Sequence, residues 1–140
     1  MDLKYAREAV FKALFQLDFI DNEELAIETA IEGIEDVKPR ELRKMLAKVH
    51  GTRAHLAEID KLIDDYLEDW NFSRLGSTDK NILRLAVYEM QFAEKKLPYA
   101  IAINEAVNLA KVYGSTDDSG RFVNGVLNAI AKDYAGQTNA

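Results

Sequence analysis

Apolar side chains recur at intervals of three and four residues along almost the whole chain, and only seven glycines and two prolines interrupt them. This spacing places the apolar side chains on one face of an α-helix, whereas a half-buried strand would need alternation at every second residue. No strand pattern competes with it. The sequence therefore predicts an all-α protein of about six to seven helices.

Turn residues and prolines divide this pattern into separate helices. Pro39 and Pro98 are each expected in a first helical turn, and Gly33 and Gly114 are each expected to stop a helix. Gly51 is expected to bend the long central stretch. The predicted helices cover residues 3–19, 23–33, 39–70, 77–92 and 98–113, and a last helix follows a cap at 115–119 and frays near 135.

Two local features carry further expectations. Ser77, Thr78 and Asp79 offer both a cap and an early acidic residue for the helix that follows them. Gly125 lies inside the last helix, where a glycine costs about 1 kcal/mol relative to alanine. A close approach of another backbone to Gly125 would explain that cost.

The charge balance limits how the chain can bind nucleic acid. It carries 24 acidic and 18 basic residues, which gives a formal net charge of -6. The chain as a whole should therefore repel a phosphate backbone, because like charges repel at long range. Any RNA contact has to come from a local patch of basic side chains.

Several functional classes lack their sequence signatures. The chain has no cysteine, which excludes disulfides and thiolate metal sites. It has no phosphate-binding glycine loop, nucleophile elbow or zinc-protease motif, so we predict no enzymatic activity, no cofactor and no metal. No stretch approaches the roughly 18 apolar residues that span a bilayer, and no export signal is recognisable. We therefore expect a cytoplasmic protein without a membrane partner.

Two groups of potential metal ligands receive an ordinary structural interpretation. His50 and His55 are five residues apart, which separates them by about 140° around a helix, so they are not expected to share a metal ion. Asp60, Asp64 and Glu68 lie on one helix face and have the chemistry for a divalent cation. A solvated helix face is the favoured interpretation of these three carboxylates.

The first helix carries a mixed stripe beside its core face. Lys4, Arg7, Phe11 and Phe15 fall within roughly 80° of one another on a helical wheel. Such a stripe suits single-stranded RNA, because cations neutralise phosphate while rings stack on unpaired bases, and it also suits a protein interface. The alternative is that both phenylalanines pack under another helix while the two cations are solvated. The pattern alone favours this alternative.

Arg84 is unusual because it lies in a segment that is apolar nearly all round. Burial of an unpaired guanidinium would be costly, so this residue needs a partner. Glu105 and Asp79 are the candidates from within the chain. A structural ion pair is favoured over a direct contact with RNA.

Four sequence blocks resemble the NusB family. Residues 79–90 (DKNILRLAVYEM) are similar to the central helix of that family. Residues 102–114 (AINEAVNLAKVYG) and 121–127 (RFVNGVL) are similar to its INEAVELAKKYG and KFVNGVL signatures, and residues 6–15 (AREAVFKALF) match its first helix more loosely. The segment from about 21 to 58 matches by pattern only.

This resemblance implies a fold and a function. The fold would be a single NusB-like domain in which two packed helical sub-bundles divide near residue 72. Such a protein would bind the boxA element of single-stranded leader RNA together with NusE, a ribosomal protein of the small subunit. It would help the RNA polymerase antitermination complex to pass terminators, notably in ribosomal RNA operons. The free protein would be either a monomer or a homodimer.

The resemblance also assigns roles to individual residues. In the family, RNA contacts come from the starts of the first and last helices, and NusE contacts come from first-helix aromatics and the start of the central helix. Asn124 fits either an RNA contact or a structural role, whereas Asn104 and Gly125 are expected to hold the last two helices together. The residues assigned to RNA are Lys4, Arg7, Arg121, Phe122 and Asn124, and those assigned to NusE are Phe11, Phe15 and Asp79.

One departure from the family and two other functions have to be considered. NusB proteins commonly begin with several consecutive arginines, whereas this chain has Leu3-Lys4-Tyr5, so we expect weaker RNA binding in the absence of NusE.

One alternative function is an RNA-recruiting NusB-like module of a ribosomal RNA methyltransferase system. The other is a helical protein-interaction module without RNA binding, which the acidic net charge would fit.

Overall fold

The computed structural model describes residues 3–138 and shows an all-helical chain in which no strand occurs between those residues. This confirms the predicted all-α class. A short 3-10 turn at Phe72–Arg74 precedes α5, and a π-helical segment at Tyr88–Phe92 continues it. The helices are α1 (Leu3–Gln16), α2 (Glu23–Ala30), α3 (Pro39–Ala54), α4 (Leu56–Asp65), α5 (Ser77–Val87), α6 (Tyr99–Tyr113) and α7 (Ser119–Thr138).

The central helix α5 is surrounded by other helices, as its apolar composition predicts. It packs against α1, α4, α6 and α7. The side chains that fill the space between these helices form one hydrophobic cluster that draws on both halves of the chain, including Leu14, Ile63, Leu83 and Leu127. The division into two sub-bundles near residue 72 remains a prediction.

The long central stretch consists of two helices that meet at His55. Helix α3 continues through Gly51 to Ala54, and α4 begins at Leu56, so the helix break does not lie at Gly51 and the bend expected there stays a prediction. A Cβ atom on Gly51 would overlap the ring and hydroxyl of Tyr88. Glycine is needed there because the Tyr88 ring lies directly against the α3 backbone.

The first two helices are shorter than predicted. After Gln16 the backbone turns through hydrogen bonds from Asp18 to Phe15 and from Phe19 to Gln16, so the helix does not reach residue 19. Helix α2 ends at Ala30 and does not reach Gly33. Gly33 adopts a φ of 85° in the turn that follows, which is a conformation that favours glycine.

The caps around the last three helices differ in part from the expectation. Gly114 ends α6, as predicted, but Gly76 and not Ser77 is the N-cap residue of α5. The hydroxyl of Ser77 instead donates to Asp18. The carboxylate of Asp79 accepts the backbone amide of Ser115 at 3.3 Å, so it stabilises the turn between α6 and α7.

Arg84 is buried in an ion-pair network, and the predicted partners are wrong. Its side chain donates to Asp60 through Nε and Nη2, each at 2.8 Å, and to Asp18 through Nη1 at 2.9 Å. The Phe72 ring lies 5.2 Å from the guanidinium carbon. Glu105 and Asp79 point elsewhere, so Arg84 joins α5 to α4 and to the end of α1. With the residue 6% exposed, this network accounts for Arg84 without an RNA contact.

The acidic face of α4 is therefore not simply solvated. Asp60 forms an ion pair with Arg84, and Asp64 accepts a hydrogen bond from the backbone amide of Phe72 at 2.9 Å.

Among the described residues, no group of histidine and acidic side chains could hold a metal ion. In the same part of the chain, no helix has the length and apolar character needed to cross a bilayer.

Candidate nucleic-acid interface

Two of the four side chains in the stripe predicted on the first helix, Arg7 and Phe11, are engaged within the fold. The guanidinium of Arg7 donates to Glu89 at 2.6 Å and lies 3.7 Å from Glu105. Phe11 is 2% exposed, and its ring centroid lies 5.2 Å from that of Tyr113. An exposed stripe of alternating cations and rings is therefore not present, because Arg7 forms ion pairs within the fold and Phe11 is buried beside Tyr113 of α6.

Glu89 is the buried centre of a three-residue charge cluster. Its Oε2 atom accepts hydrogen bonds from Arg7 on α1 and from Lys48 on α3, both at 2.6 Å. The residue is 2% exposed and lies in the π-helical segment. The cluster connects α1, α3 and the π-helical segment after α5. It includes Arg7, one of the cations assigned to RNA, whose charge is therefore balanced within the fold.

Other side chains of α1 are exposed, including Lys4 of the predicted stripe. Lys4 and Lys12 are exposed, and Lys12 Nζ lies 5.8 Å from the centroid of the Tyr113 ring on α6. Tyr5 is exposed on the same helix. Helix α1 therefore presents two exposed cations, of which Lys12 lies beside α6.

The first turns of α7 provide the second group of predicted RNA residues. Arg121 and Asn124 are exposed, whereas Phe122 is half-buried against the core. The side chain of Asn128 donates to the Asn124 side-chain oxygen at 2.9 Å. The exposed residues recur at intervals of three and four, so they form one polar edge along α7.

Helix α6 lies between these two groups and adds polar side chains of its own. Asn104, Asn108 and Lys111 are exposed and recur at positions i, i+4 and i+7. A Cβ atom on Gly120, at the start of α7, would lie 3.6 Å from the Lys111 side chain, so the two helices approach closely there. Lys111 is therefore a neighbour of the α7 residues.

The structural roles expected for Asn104 and Gly125 are wrong. Asn104 is exposed and makes no side-chain hydrogen bond with the part of the chain that the structure describes. Gly125 is also exposed, and a Cβ atom there would meet nothing within 4 Å. Neither residue holds α6 against α7.

Together, α1, α6 and α7 form a surface that we call the three-helix face. Its order follows from the contacts, since α6 touches Arg7 and Phe11 of α1 on one side and packs along α7 on the other. The exposed basic and amide side chains of this face are Lys4, Lys12, Asn104, Asn108, Lys111, Arg121, Asn124 and Asn128.

Sequence reasoning missed Lys12 and Lys111 as members of this face. Lys12 lies outside the predicted stripe on the helical wheel, and only the position of Tyr113 brings it beside α6. Lys111 belongs to the INEAV block, but its proximity to the start of α7 depends on how the two helices pair. The positions of Lys12 and Lys111 on this face therefore depend on how the helices pack against one another.

The residues assigned to a protein partner lie at one end of the three-helix face. Phe15 is half-buried and its ring centroid lies 5.5 Å from that of Phe19, which is 70% exposed. Nearby, Thr78 at the start of α5 shares a hydrogen bond of 3.0 Å with Ser115. Asp79 is 8% exposed and is occupied with the turn before α7.

Comparison with known proteins identifies the family. A profile described as the NusB family matches residues 4–132. The transcription antitermination protein NusB of Thermotoga maritima is 45% identical over 129 residues, which cover 92% of this chain and 89% of that protein. The NusB of Halalkalibacterium halodurans is 37% identical over 134 residues, which cover 96% of this chain and 96% of that protein.

Solved structures agree with the sequence comparison. A structure of T. maritima NusB superposes with a TM-score of 0.83 at 41% identity and covers 94% of this chain and 92% of its own. A chain from a crystal structure of the antitermination factors NusB and NusE in complex with double-stranded RNA has a TM-score of 0.81 at 32% identity, covering 94% of this chain and 97% of its own. The chain belongs to the NusB family, and both relatives named above are transcription antitermination proteins.

Proposed function

We propose that the chain is a transcription antitermination factor that binds boxA leader RNA together with NusE. The observation that carries this proposal is the three-helix face, which gathers exposed cations and amides on one side of an acidic chain. Cations neutralise phosphates, and amides read the edges of unpaired bases. The similarity to a NusB that was crystallised with NusE and RNA supports the same role.

The RNA contacts are assigned to exposed residues of the three-helix face. Lys4, Lys12, Lys111 and Arg121 are suited to phosphate, because their side chains reach solvent. Asn124 is suited to a base edge or a sugar, and the exposed part of Phe122 to stacking. We omit Arg7 from the direct contacts, since Glu89 and Glu105 already bind its guanidinium.

The NusE contact is assigned to the end of α1 and the neighbouring start of α5. The exposed Phe19 and the half-buried Phe15 offer apolar surface, and aromatic side chains are typical of the centre of a protein interface. Phe11 is omitted because it belongs to the core. Asp79 would act indirectly, by holding the turn between α6 and α7 in place.

The mechanism in this proposal uses binding energy and no covalent step. RNA bound on the three-helix face and NusE bound at its end form one assembly, which tethers the leader RNA to the RNA polymerase complex. The second binding event is then effectively intramolecular and gains from a raised local concentration. Ribosomal RNA operons, whose leaders carry boxA, are the proposed targets.

The exposed cations are few, which has a measurable consequence. The three-helix face has four exposed basic residues, and the net charge of -6 opposes RNA at long range. We therefore expect weak and shallowly salt-dependent RNA binding by the chain alone and much tighter binding with NusE.

Fluorescence anisotropy of a labelled boxA RNA tests the proposal. The chain is titrated with and without NusE, and an RNA of the same composition in scrambled order is the control. Tighter binding of boxA than of the scrambled RNA, enhanced by NusE, supports the antitermination role. Equal weak binding of both RNAs under both conditions would favour a helical interaction module without RNA recognition. Tighter binding to ribosomal RNA than to boxA RNA in the absence of NusE would favour the recruiting module of a methyltransferase system.

A further inference from the structure

The outer face of α3 is strongly basic although the chain is acidic. Five basic residues and one acidic residue lie between positions 38 and 48, whereas the whole chain has a net charge of -6. The acidic residue, Glu41, turns back to accept the backbone amide of Lys38 at 3.0 Å. The segment is therefore locally positive within an acidic chain.

Three of these cations form a continuous exposed surface, which we call the α3 basic face: Arg40, Arg43 and Lys44. They fall within roughly 100° of one another on a helical wheel, on the side opposite the buried residues Met45 and Val49. Like charges at i, i+3 and i+4 repel one another by a few tenths of a kcal/mol each. Such an arrangement is stabilised by an anionic partner.

Two other cations of this helix form ion pairs within the fold. Lys48 binds the buried Glu89 at 2.6 Å, and Arg53 lies 3.6 Å from Asp18. In contrast, Arg40, Arg43 and Lys44 form no ion pair or hydrogen bond through their side chains with any described residue. Their charges are thus available to a ligand and have no evident function within the fold.

The α3 basic face is next to the start of α1. Arg7 and Lys48 bind the same oxygen of Glu89, and farther along α3 Arg53 lies 3.6 Å from Asp18, two residues beyond the end of α1. The two helices therefore run in the same direction. Lys44, one turn before Lys48, is then level with the first turn of α1, where the three-helix face begins.

We propose that the α3 basic face binds phosphates of single-stranded RNA and extends the RNA path from the three-helix face across the start of α1. This inference rests on the proposed function and names a second binding surface for the same RNA. RNA is favoured as the occupant because three exposed cations along one helix suit the regular charges of a phosphate backbone. The face has no exposed large apolar side chain, which a protein interface would need at its centre.

The test compares two variants with the same net charge. Arg40→Gln/Arg43→Gln/Lys44→Gln removes the α3 basic face, and Lys61→Gln/Arg74→Gln/Lys132→Gln removes three exposed cations from other helices and turns. Binding of a labelled boxA RNA, short or extended by about ten nucleotides at either end, is measured with NusE at several salt concentrations. Thermal melts establish that both variants are folded.

The expected result separates the two surfaces. The α3 variant should bind the extended RNA about tenfold or more weakly than wild type, with a salt slope shallower by about 2, since each phosphate contact on a single strand contributes about 0.7. The control variant should retain the wild-type affinity and salt slope, apart from the small change caused by its lower net charge. Extension of the RNA should improve binding to wild type and not to the α3 variant.

Other outcomes overturn the inference and are distinct from failure of the proposed function. If wild type binds boxA with NusE and the two variants behave alike, the α3 basic face does not contact RNA. If the α3 variant loses NusE binding and not RNA affinity, the face is a protein contact. If wild type itself does not distinguish boxA from scrambled RNA, the proposed function fails.

Discussion

The guanidinium of Arg84 and the carboxylate of Asp60 form a bidentate pair, with Nε to Oδ1 and Nη2 to Oδ2 each at 2.8 Å. Such parallel hydrogen bonds are among the strongest that proteins form. The pair joins the central helix to α4, while Asp18 connects the same guanidinium to the end of α1. One buried cation thus holds together helices from both halves of the chain.

Asp60→Asn should destabilise the fold. The substitution removes one of the two carboxylates that balance Arg84, and we expect a loss of about 2 to 4 kcal/mol in the free energy of unfolding. Urea denaturation at pH 7 measures it. Asp65→Asn is the matched control on the same helix, because its exposed pair with Lys61 contributes at most about 0.5 kcal/mol. Equal effects of the two substitutions would contradict the role of the buried pair.

The stability of the chain should fall in acid through Asp18. Burial opposes ionisation of this carboxyl, but hydrogen bonds from Ser77 and Asn81 and the charge of Arg84 outweigh it and lower its pKa below 3.8. A carboxyl with a lowered folded-state pKa stabilises the fold above its unfolded value, and this contribution is lost as the pH falls through the folded value.

Urea denaturation between pH 7 and pH 2.5 checks this dependence. Wild type should lose stability steadily below about pH 4, near the reference pKa of aspartate. Asp18→Asn should be less stable at pH 7 and should show a flatter profile below pH 4. A profile for Asp18→Asn parallel to that of wild type would show that other carboxyls control the acid transition.

Two glycine-to-alanine substitutions should act in opposite directions. Gly51→Ala places a methyl group into the Tyr88 ring, and we expect about 1 to 3 kcal/mol of destabilisation from overpacking. Gly125→Ala fills empty space on an exposed helix face and should stabilise by up to about 1 kcal/mol. Thermal and urea denaturation measure both. Stabilisation by Gly51→Ala would contradict the close contact with Tyr88.

The charge cluster around Glu89 should be essential for stability. Glu89→Gln removes the buried charge between Arg7 and Lys48 and leaves only the longer contact of Arg7 with Glu105, and we expect about 3 kcal/mol of destabilisation. The exposed Glu94→Gln in the following turn is the control and should change stability by less than about 0.5 kcal/mol. A neutral result for Glu89→Gln in urea denaturation would show that the cluster does not stabilise the fold.

The sequence predicted the helical fold well because local spacing determines which helix faces are apolar. Burial of Ile82, Leu83 and Val87 in the central helix follows directly from their position in an apolar segment. The need of Arg84 for a partner was also predictable from chemistry. The identity of that partner was not, because Asp60 and Asp18 reach Arg84 only through the packing of α4 and α1 against α5.

The candidate site was less predictable than the fold for the same reason. A helical wheel shows which side chains share a flank of α1, but it does not show that Glu105 and Tyr113 of α6 contact Arg7 and Phe11. It also assigns no function to Gly51, whose neighbour Tyr88 is distant in sequence. Contacts between helices that are far apart in the chain decided each of these cases.

The central claim is that the three-helix face binds RNA, and a pair of substitutions on α7 tests it most directly. Affinity for boxA RNA is measured by anisotropy with saturating NusE for wild type, Arg121→Ala and Lys132→Ala, which remove one exposed cation each from the start and the later part of the same helix. We predict that Arg121→Ala weakens binding by about five- to tenfold and lowers the salt slope by about 0.7, while Lys132→Ala leaves both nearly unchanged. Equal affinities for all three proteins would contradict the claim.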